Sequence, residues 1–509
     1  MEQTVAILRS AQKQSTRVFK TTSHDESPVM CVESSEERKA LWKLDISILP
    51  ILSMFFLLNY LDRANLGNAR VAGLQKDLHM TDYQYSISLT ATIVPYVAAD
   101  LPATLLQKKI GPNIFLPTMI TIWGIVTTLQ GFVRSYSGLI VARILLGIAE
   151  GGMFPGIVVY LSTFYSRREL QTRIALFYSS ASLSGAFSGL LAYAIVHLDG
   201  RASLVGWRWI FIIEGLFTVF WGLLSLFIFP ESIDSSKFLT ITQKILLKKR
   251  LENHGPVICG EEERFSFSEV LAGLKSPHVL INSLSTFMMG IAVSSLLYFQ
   301  PTIINSLGYS AVLSQLLSVP PFAVAFIFML GTAFLSDSLR ARGLTACCCT
   351  LLSTIGFLIF YLAKTHQRSL KYASLFLSIS GSYSTIPALY AWQSNNSEGY
   401  YRRATAIALG FVSANSGGVL ATWLFPQSEK PQYRTGTRVD LICSIGIVIT
   451  SIINLLWLRS SNSYKQTHRE QILAKYRLQD GAEAQDDFNE QKRARKELGD
   501  KHPDFIYTY

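Results

Sequence analysis

The chain has 509 residues, of which 49% are hydrophobic and only 16% charged, with a net charge of +11. A string of soluble domains is excluded, because the charges gather in short stretches between long apolar runs. The basic excess flanks those runs, which is a membrane-topology signal and not a nucleic-acid one.

Residues 1–40 are polar and rich in Ser, Thr and charge. They lack the apolar core of a cleavable signal peptide, so the first membrane helix is expected to act as its own insertion signal. A helix crossing about 30 Å of hydrocarbon needs about 20 mostly apolar residues. Six stretches of that length come first, at 44–66, 85–107, 111–133, 137–163, 173–197 and 207–229. Six more follow at 279–304, 311–336, 343–364, 370–392, 403–426 and 438–459. The expected fold is therefore an all-α membrane protein of twelve transmembrane helices in two six-helix bundles, over 44–229 and 279–459. Internal symmetry of this kind is expected of secondary transporters.

Most Lys and Arg fall on the side of both termini and of the polar stretch 230–278, which places all three in the cytoplasm. A plasma-membrane location is the expectation. Lys248-Lys249-Arg250 follows an amphipathic run, and a short helix at the inner membrane surface is expected there. Residues 460–509 read as a cytoplasmic tail whose mixed charges, Lys492, Arg493, Arg495 and Lys496 against Asp486, Asp487 and Glu490, give no clear fold. The six cysteines show no paired spacing for a disulfide framework or metal knuckle. The run Cys347-Cys348-Cys349 reads as small packing residues.

Charge inside the apolar segments carries the chemistry. The first segment ends Asn59-Tyr60-Leu61-Asp62-Arg63-Ala64-Asn65, and the fourth runs Arg143-Ile-Leu-Leu-Gly147-Ile-Ala-Glu150-Gly151-Gly152. A charge in hydrocarbon costs on the order of 2.5–3.5 kcal/mol even on lenient scales, so four of them imply an ion or proton pathway. Arg143 and Glu150, seven apart, share one helix face about 10 Å apart along the axis and can line one cavity. Asp62 and Arg63 diverge by about 100°, so one can face the cavity while the other packs against a neighbour. Gly147 and Gly151 lie on the Arg143 face and allow close helix approach. Glu214 is expected to have a structural partner such as Arg208 or a neighbouring helix's backbone, and Asp440 and His197 to be solvated at helix ends.

NYLDRANLGNA and RILLGIAEGGMFPG, with GWRWIFIIEG (206–215), YFQPTIINSLGYS (298–310) and AWQSNNSEGYYRRA (391–404), resemble the anion:cation symporter family of the major facilitator superfamily. The last two stretches are most similar to its fungal branch of allantoate, nicotinate and pantothenate permeases. The resemblance implies a proton-coupled carrier importing a small organic anion by alternating access. It implies that Asp62 and Glu150 bind protons, that Arg63 engages the substrate carboxylate, and that Arg143 tunes Glu150 and contributes to the anion site. Tyr96 and Asn415 match positions lining the central cavity, and Tyr60 is placed there with them.

One departure stands out. The superfamily loop between helices 2 and 3 usually reads Gly-x-x-x-Asp-Arg-x-Gly, whereas this chain has Thr104 to Gly111 with Lys in place of the acid. Asp100 is a candidate substitute for that gate acid, and the second half keeps a nearer copy with Asp337 and Arg340. The expected partners are a small anionic substrate, protons and the lipid bilayer, with no cofactor, metal or nucleic acid, and the chain acting as a monomer. A proton-antiport exporter, a non-transporting nutrient sensor and a polytopic membrane enzyme are the competing readings. The enzyme is disfavoured because most histidines scatter through tails and loops.

Overall fold

The computed structural model describes residues 35–165, 167–254, 267–339, 341–364, 366–474 and 498–509. Helices dominate them. The first is α1 (Ser35–Val71), with Glu36 and Glu37 in its first turn and Arg70 in its last, each complementing the helix dipole. A short α2 (Leu74–Asp77) leads into α3 (Asp82–Ile110). The start of α3 is fixed by a capping box, in which the Gln84 N–H donates to Thr81 Oγ1 at 3.2 Å and the Thr81 N–H donates to Gln84 Oε1 at 3.0 Å. Next come α4 (Pro112–Gln130), with proline at its first turn, and α5 (Tyr136–Glu150), capped by Ser135.

Segment 137–163, expected as one helix, is two. A break at Gly151–Gly152 separates α5 from α6 (Met153–Ser162), because Gly152 takes φ +77°, which side chains with a Cβ rarely adopt. The first half closes with α7 (Arg167–Val196) and α8 (Gly206–Ile228). Two short helices follow, α9 (Ile241–His254), which carries Lys248-Lys249-Arg250 as expected, and α10 (Phe267–Leu274). The second half contains α11 (Pro277–Ser306), α12 (Ala311–Leu339), α13 (Arg342–Leu362), α14 (Arg368–Asn395), α15 (Tyr400–Ala421) and α16 (Arg434–Thr467), followed by α17 (Arg469–Ala474).

Ten described stretches are long and apolar enough to cross a bilayer, α5 and the start of α6 counting as one. Two further helices, α3 and α14, have the length (29 and 28 residues) but more polar sequences. Large apolar side chains face outward, with Phe227 86%, Phe334 76% and Leu362 68% exposed. Such a surface suits hydrocarbon and would be an aggregation liability in water.

Within the first half α1 packs on α7 and α8, α4 on α8, and α3 on α5; within the second α11 packs on α15 and α16, and α13 on α14. The halves meet along α7–α12, α1–α11 and α3–α15. Small residues make these crossings tight. A Cβ on Gly67 of α1 would sit 2.2 Å from the Tyr298 carbonyl oxygen of α11, and one on Gly147 of α5 would sit 2.3 Å from the Thr92 carbonyl oxygen of α3.

The end of the chain differs from its reading as a solvated tail. Residues 498–509 lie against the ends of α14, α15 and α16, and Tyr507 is 2% exposed. Asn462 and Asn396 supply the reason, since each exchanges two hydrogen bonds with the returning backbone, at Tyr507 and Thr508 respectively. Arg402 adds an ion pair to Asp500 at 3.0 Å.

Candidate functional site

The helical step of about 100° per residue turns Asp62 and Arg63 to different surroundings. Arg63 faces a cavity of about 70 Å³ between the halves. Tyr60, Arg63 and Tyr96 line it from the first half, and Tyr298, Phe411 and Asn415 from the second. The volume is far below the ~300–1,000 Å³ of ordinary ligand pockets. On one side Phe154 of α6 stacks on Phe411 of α15, centroids 5.1 Å apart. Where α1 ends, Asp82 accepts from Arg70 Nη2 at 2.9 Å and from the backbone N–H of Gln427 at 2.8 Å, tying the halves together.

Aromatic faces hold the Arg63 guanidinium, its carbon lying 4.6 Å from the Tyr96 centroid and 5.5 Å from that of Tyr60. Those quadrupoles favour a cation without neutralising it. Its carboxylate partner is Glu150, with Arg63 Nε 3.9 Å from Glu150 Oε2. Asn59 Nδ2 donates to the same oxygen at 3.0 Å, while Glu150 Oε1 is buried with no hydrogen-bond partner. Asn415 Nδ2 is engaged by the Phe411 carbonyl oxygen of its own helix at 2.9 Å.

Arg143 and Glu150 were expected to line one cavity, and that is corrected: neither reaches its wall, and both are at most 2% exposed. Their face of α5 is sealed because Gly147 and Gly151 let α3 press against it. Arg143 lies over the Phe211 ring at 5.4 Å, and its Nε and Nη2 make no hydrogen bond to protein.

Asp62 turns into the first-half core and accepts three hydrogen bonds. Trp123 Nε1 and Thr127 Oγ1 (3.2 Å) donate to its Oδ2, and Asn65 Nδ2 donates to its Oδ1 at 3.1 Å. The same Asn65 amide donates to Glu214 Oε2. The expected Arg208–Glu214 partnership is therefore absent. Arg208 instead pairs with Asp77 at 3.0 Å, in company with Trp207 Nε1. Asp440, expected to be solvated, is 1% exposed, because the start of α16 lies inside the second half; His197 is exposed as expected.

Asp100 accepts the Gly152 N–H at 3.1 Å and so caps the break between α5 and α6. Arg340 and the side chain of Asp337 lie outside the described residues. Sequence reasoning passed over Asn59, Asn65, Trp123 and Thr127. A usable signal existed, since Asn59, Asp62 and Asn65 recur every three residues on one band of α1.

The Major Facilitator Superfamily pattern matches residues 52–422. An uncharacterized transporter of Schizosaccharomyces pombe is 34% identical over 433 residues, covering 85% of this chain and 86% of that protein. A high-affinity nicotinic acid transporter of Saccharomyces cerevisiae is 28% identical over 496 residues, covering 97% and 89%. Among solved structures, a bacterial homologue of the human lysosomal transporter Spinster, in an inward-facing and unoccupied conformation, superposes with a TM-score of 0.64 at 15% identity, over 83% of this chain and 97% of that one.

Proposed function

This chain belongs to the Major Facilitator Superfamily, whose members are multi-pass membrane transporters and not enzymes, and on that premise we propose that it imports a small organic anion together with protons. One observation carries the reading. Arg63 is a cavity-facing guanidinium whose acid partner, Glu150, stands 3.9 Å away in a loose pair that a substrate carboxylate can displace. The planar fork of arginine suits a carboxylate. The nicotinic acid transporter of Saccharomyces cerevisiae, named for a carboxylic acid, supports the same substrate class, as does the resemblance to the anion:cation symporters.

The cycle runs as follows. A proton on Glu150 removes the counter-charge of Arg63, and a carboxylate then docks on the freed guanidinium between Tyr60 and Tyr96. Asn415 closes the site from the second half. The loaded halves rock about this midpoint, and loss of the proton inside restores the Glu150–Arg63 pair and expels the anion. Asp62 is the second proton-binding acid, and Arg143 offsets the charge of Asp62 and Glu150 from behind the cavity wall. The Asp100 cap on the α5–α6 break, and Asp337 of α12 with Arg340, govern opening on the inner side. The architecture we assign is twelve spans in two bundles, with α5 and α6 sharing one span, both termini in the cytoplasm of a plasma-membrane carrier, and a monomeric working unit.

The test is uptake of radiolabelled nicotinate by cells expressing the chain, in competition with a panel of small carboxylates and their amides, at two external pH values. Uptake should rise at the lower pH and be displaced by carboxylates but not by amides. Uptake indifferent to both pH and every carboxylate would overturn the reading.

A further inference from the structure

The core of the first half contains more acid than base. Among the described residues, Asp62, Glu150 and Glu214 are buried around Arg63 and Arg143, while Arg70, also buried, is already paired with Asp82 at 2.9 Å; of the other two cations Arg63 meets the cavity. Uncompensated charge is expensive in a water-poor core, so three carboxylates against two guanidiniums leave one proton to be held.

Hydrogen-bond geometry separates Asp62 from the two glutamates, and of these Glu150 has the Arg63 guanidinium 3.9 Å away. An ionised carboxylate only accepts, and Asp62 sits among three donors from Trp123, Thr127 and Asn65. Glu214 receives one donor, Asn65, and its Oε1 is buried with no partner. A neutral acid tolerates that environment far better than a charged one. We propose that Glu214 is a third proton-binding residue of this carrier, holding the proton in the state described here while Asp62, across the Asn65 amide, stays ionised.

The surroundings fit this assignment. The charged group facing Glu214 from α1 is Asp62. The charged group of α5 in this core, Arg143, lies over Phe211, one turn before Glu214 on α8, and answers to Asp62 and Glu150. Helix α4 presents the neutral donors Trp123 and Thr127, and α7 carries no Asp, Glu, Lys, Arg or His between residues 174 and 196, its titratable groups there being Tyr178 and Tyr193. The step balances simply: an O–H bond forms on Glu214 as one breaks in hydronium, and the reverse occurs on release.

The inference rests on the proton-coupled reading above, but its test needs no transported substrate. Infrared difference spectra of the purified full-length chain, taken across a pH titration, report protonated carboxylic acids through their carbonyl stretch. Wild type minus Glu214→Gln should contain one such band, and Asp62→Asn should leave that band in place. If Glu214→Gln does not yield folded protein, Glu214→Asp is read instead, and the band should move with the changed acid. No band in either difference would overturn the assignment. A band lost in Glu214→Gln, with nicotinate uptake indifferent to pH, would keep the proton on Glu214 and remove coupled transport instead.

Discussion

The two halves bury polarity in different currencies. Between α1 and α8 the core holds Asp62, Arg143, Glu150 and Glu214, with atoms of Arg143, Glu150 and Glu214 unbonded. Between α11 and α16 it holds mostly neutral pairs, among them Asn282–Gln393 at 2.9 Å, Ser353–Ser382 at 2.7 Å and Ser285–Thr450 at 2.7 Å. Neutral pairs lock helices at little cost and change nothing when pH changes. Charged groups with unused hydrogen-bonding capacity can exchange partners. On the proposed reading the first half performs the ion chemistry and the second supplies a matching wall, a division that substitutions in each half can break.

The largest effect is expected at Arg63. Its replacement by Gln removes the one guanidinium on the cavity wall, and a buried charge-assisted contact is worth about 2–5 kcal/mol. Nicotinate uptake should fall by about a hundredfold or more, at roughly 1.4 kcal/mol per factor of ten. Arg63→Lys should recover only a small part, because the ammonium lacks the fork. Near-normal apparent affinity in Arg63→Lys would move the anion site elsewhere. Glu150→Gln comes next. It fixes the acid in a neutral form, so radiolabelled exchange across the membrane should persist while accumulation driven by a pH gradient falls to parity. Continued accumulation would show that Glu150 is not the coupling acid.

How far this division was legible depended on where each side chain's partner lay. Asp62 and Arg63 announced themselves as charges in an apolar run, and the helical step alone sent them to different surroundings. Gly147 and Gly151 were readable as contact residues because their spacing matched the Arg143 face. Glu214 was misread because its partner, Asn65, is 149 positions away, while the tempting neighbour Arg208 is taken by Asp77. The break after Glu150 was hidden for another reason. Gly-Gly before a proline-containing run reads equally as packing or as a kink, and only the positive φ of Gly152 decides it. The docked residues 498–509 were also invisible, because their hydrogen bonds come from side chains of three distant helices.

A smaller effect is expected where the halves touch without charge. Gly67 of α1 lies so close to the Tyr298 carbonyl that an added Cβ would fall 2.2 Å from its oxygen. Overpacking of this kind costs about 1–3 kcal/mol, and here the penalty falls only on the state in which α1 and α11 are pressed together. Gly67→Ala should therefore leave expression intact and open the cavity between the halves. With Asn415→Cys as reporter, labelling by an impermeant thiol reagent from outside should speed up by several-fold. Unchanged labelling would mean that this crossing stays closed throughout the cycle.

The smallest effect tests the comparison at its weakest point. Asp440 is the one acid buried in the body of the second half among the described residues, 1% exposed, with Oδ1 lacking a partner. If ion chemistry belongs to the first half, Asp440 is a carboxylic acid that stays neutral through the cycle, and its amide isostere should do the same work. Asp440→Asn should then change uptake by less than about threefold, under 1 kcal/mol, and leave its pH dependence in place. Asp440→Leu separates packing from polarity, since it removes the hydrogen-bonding head but fills the same space. A pH profile displaced by Asp440→Asn would mean that both halves exchange protons. The two bundles would then share the coupling that the arrangement around Arg63 otherwise confines to one.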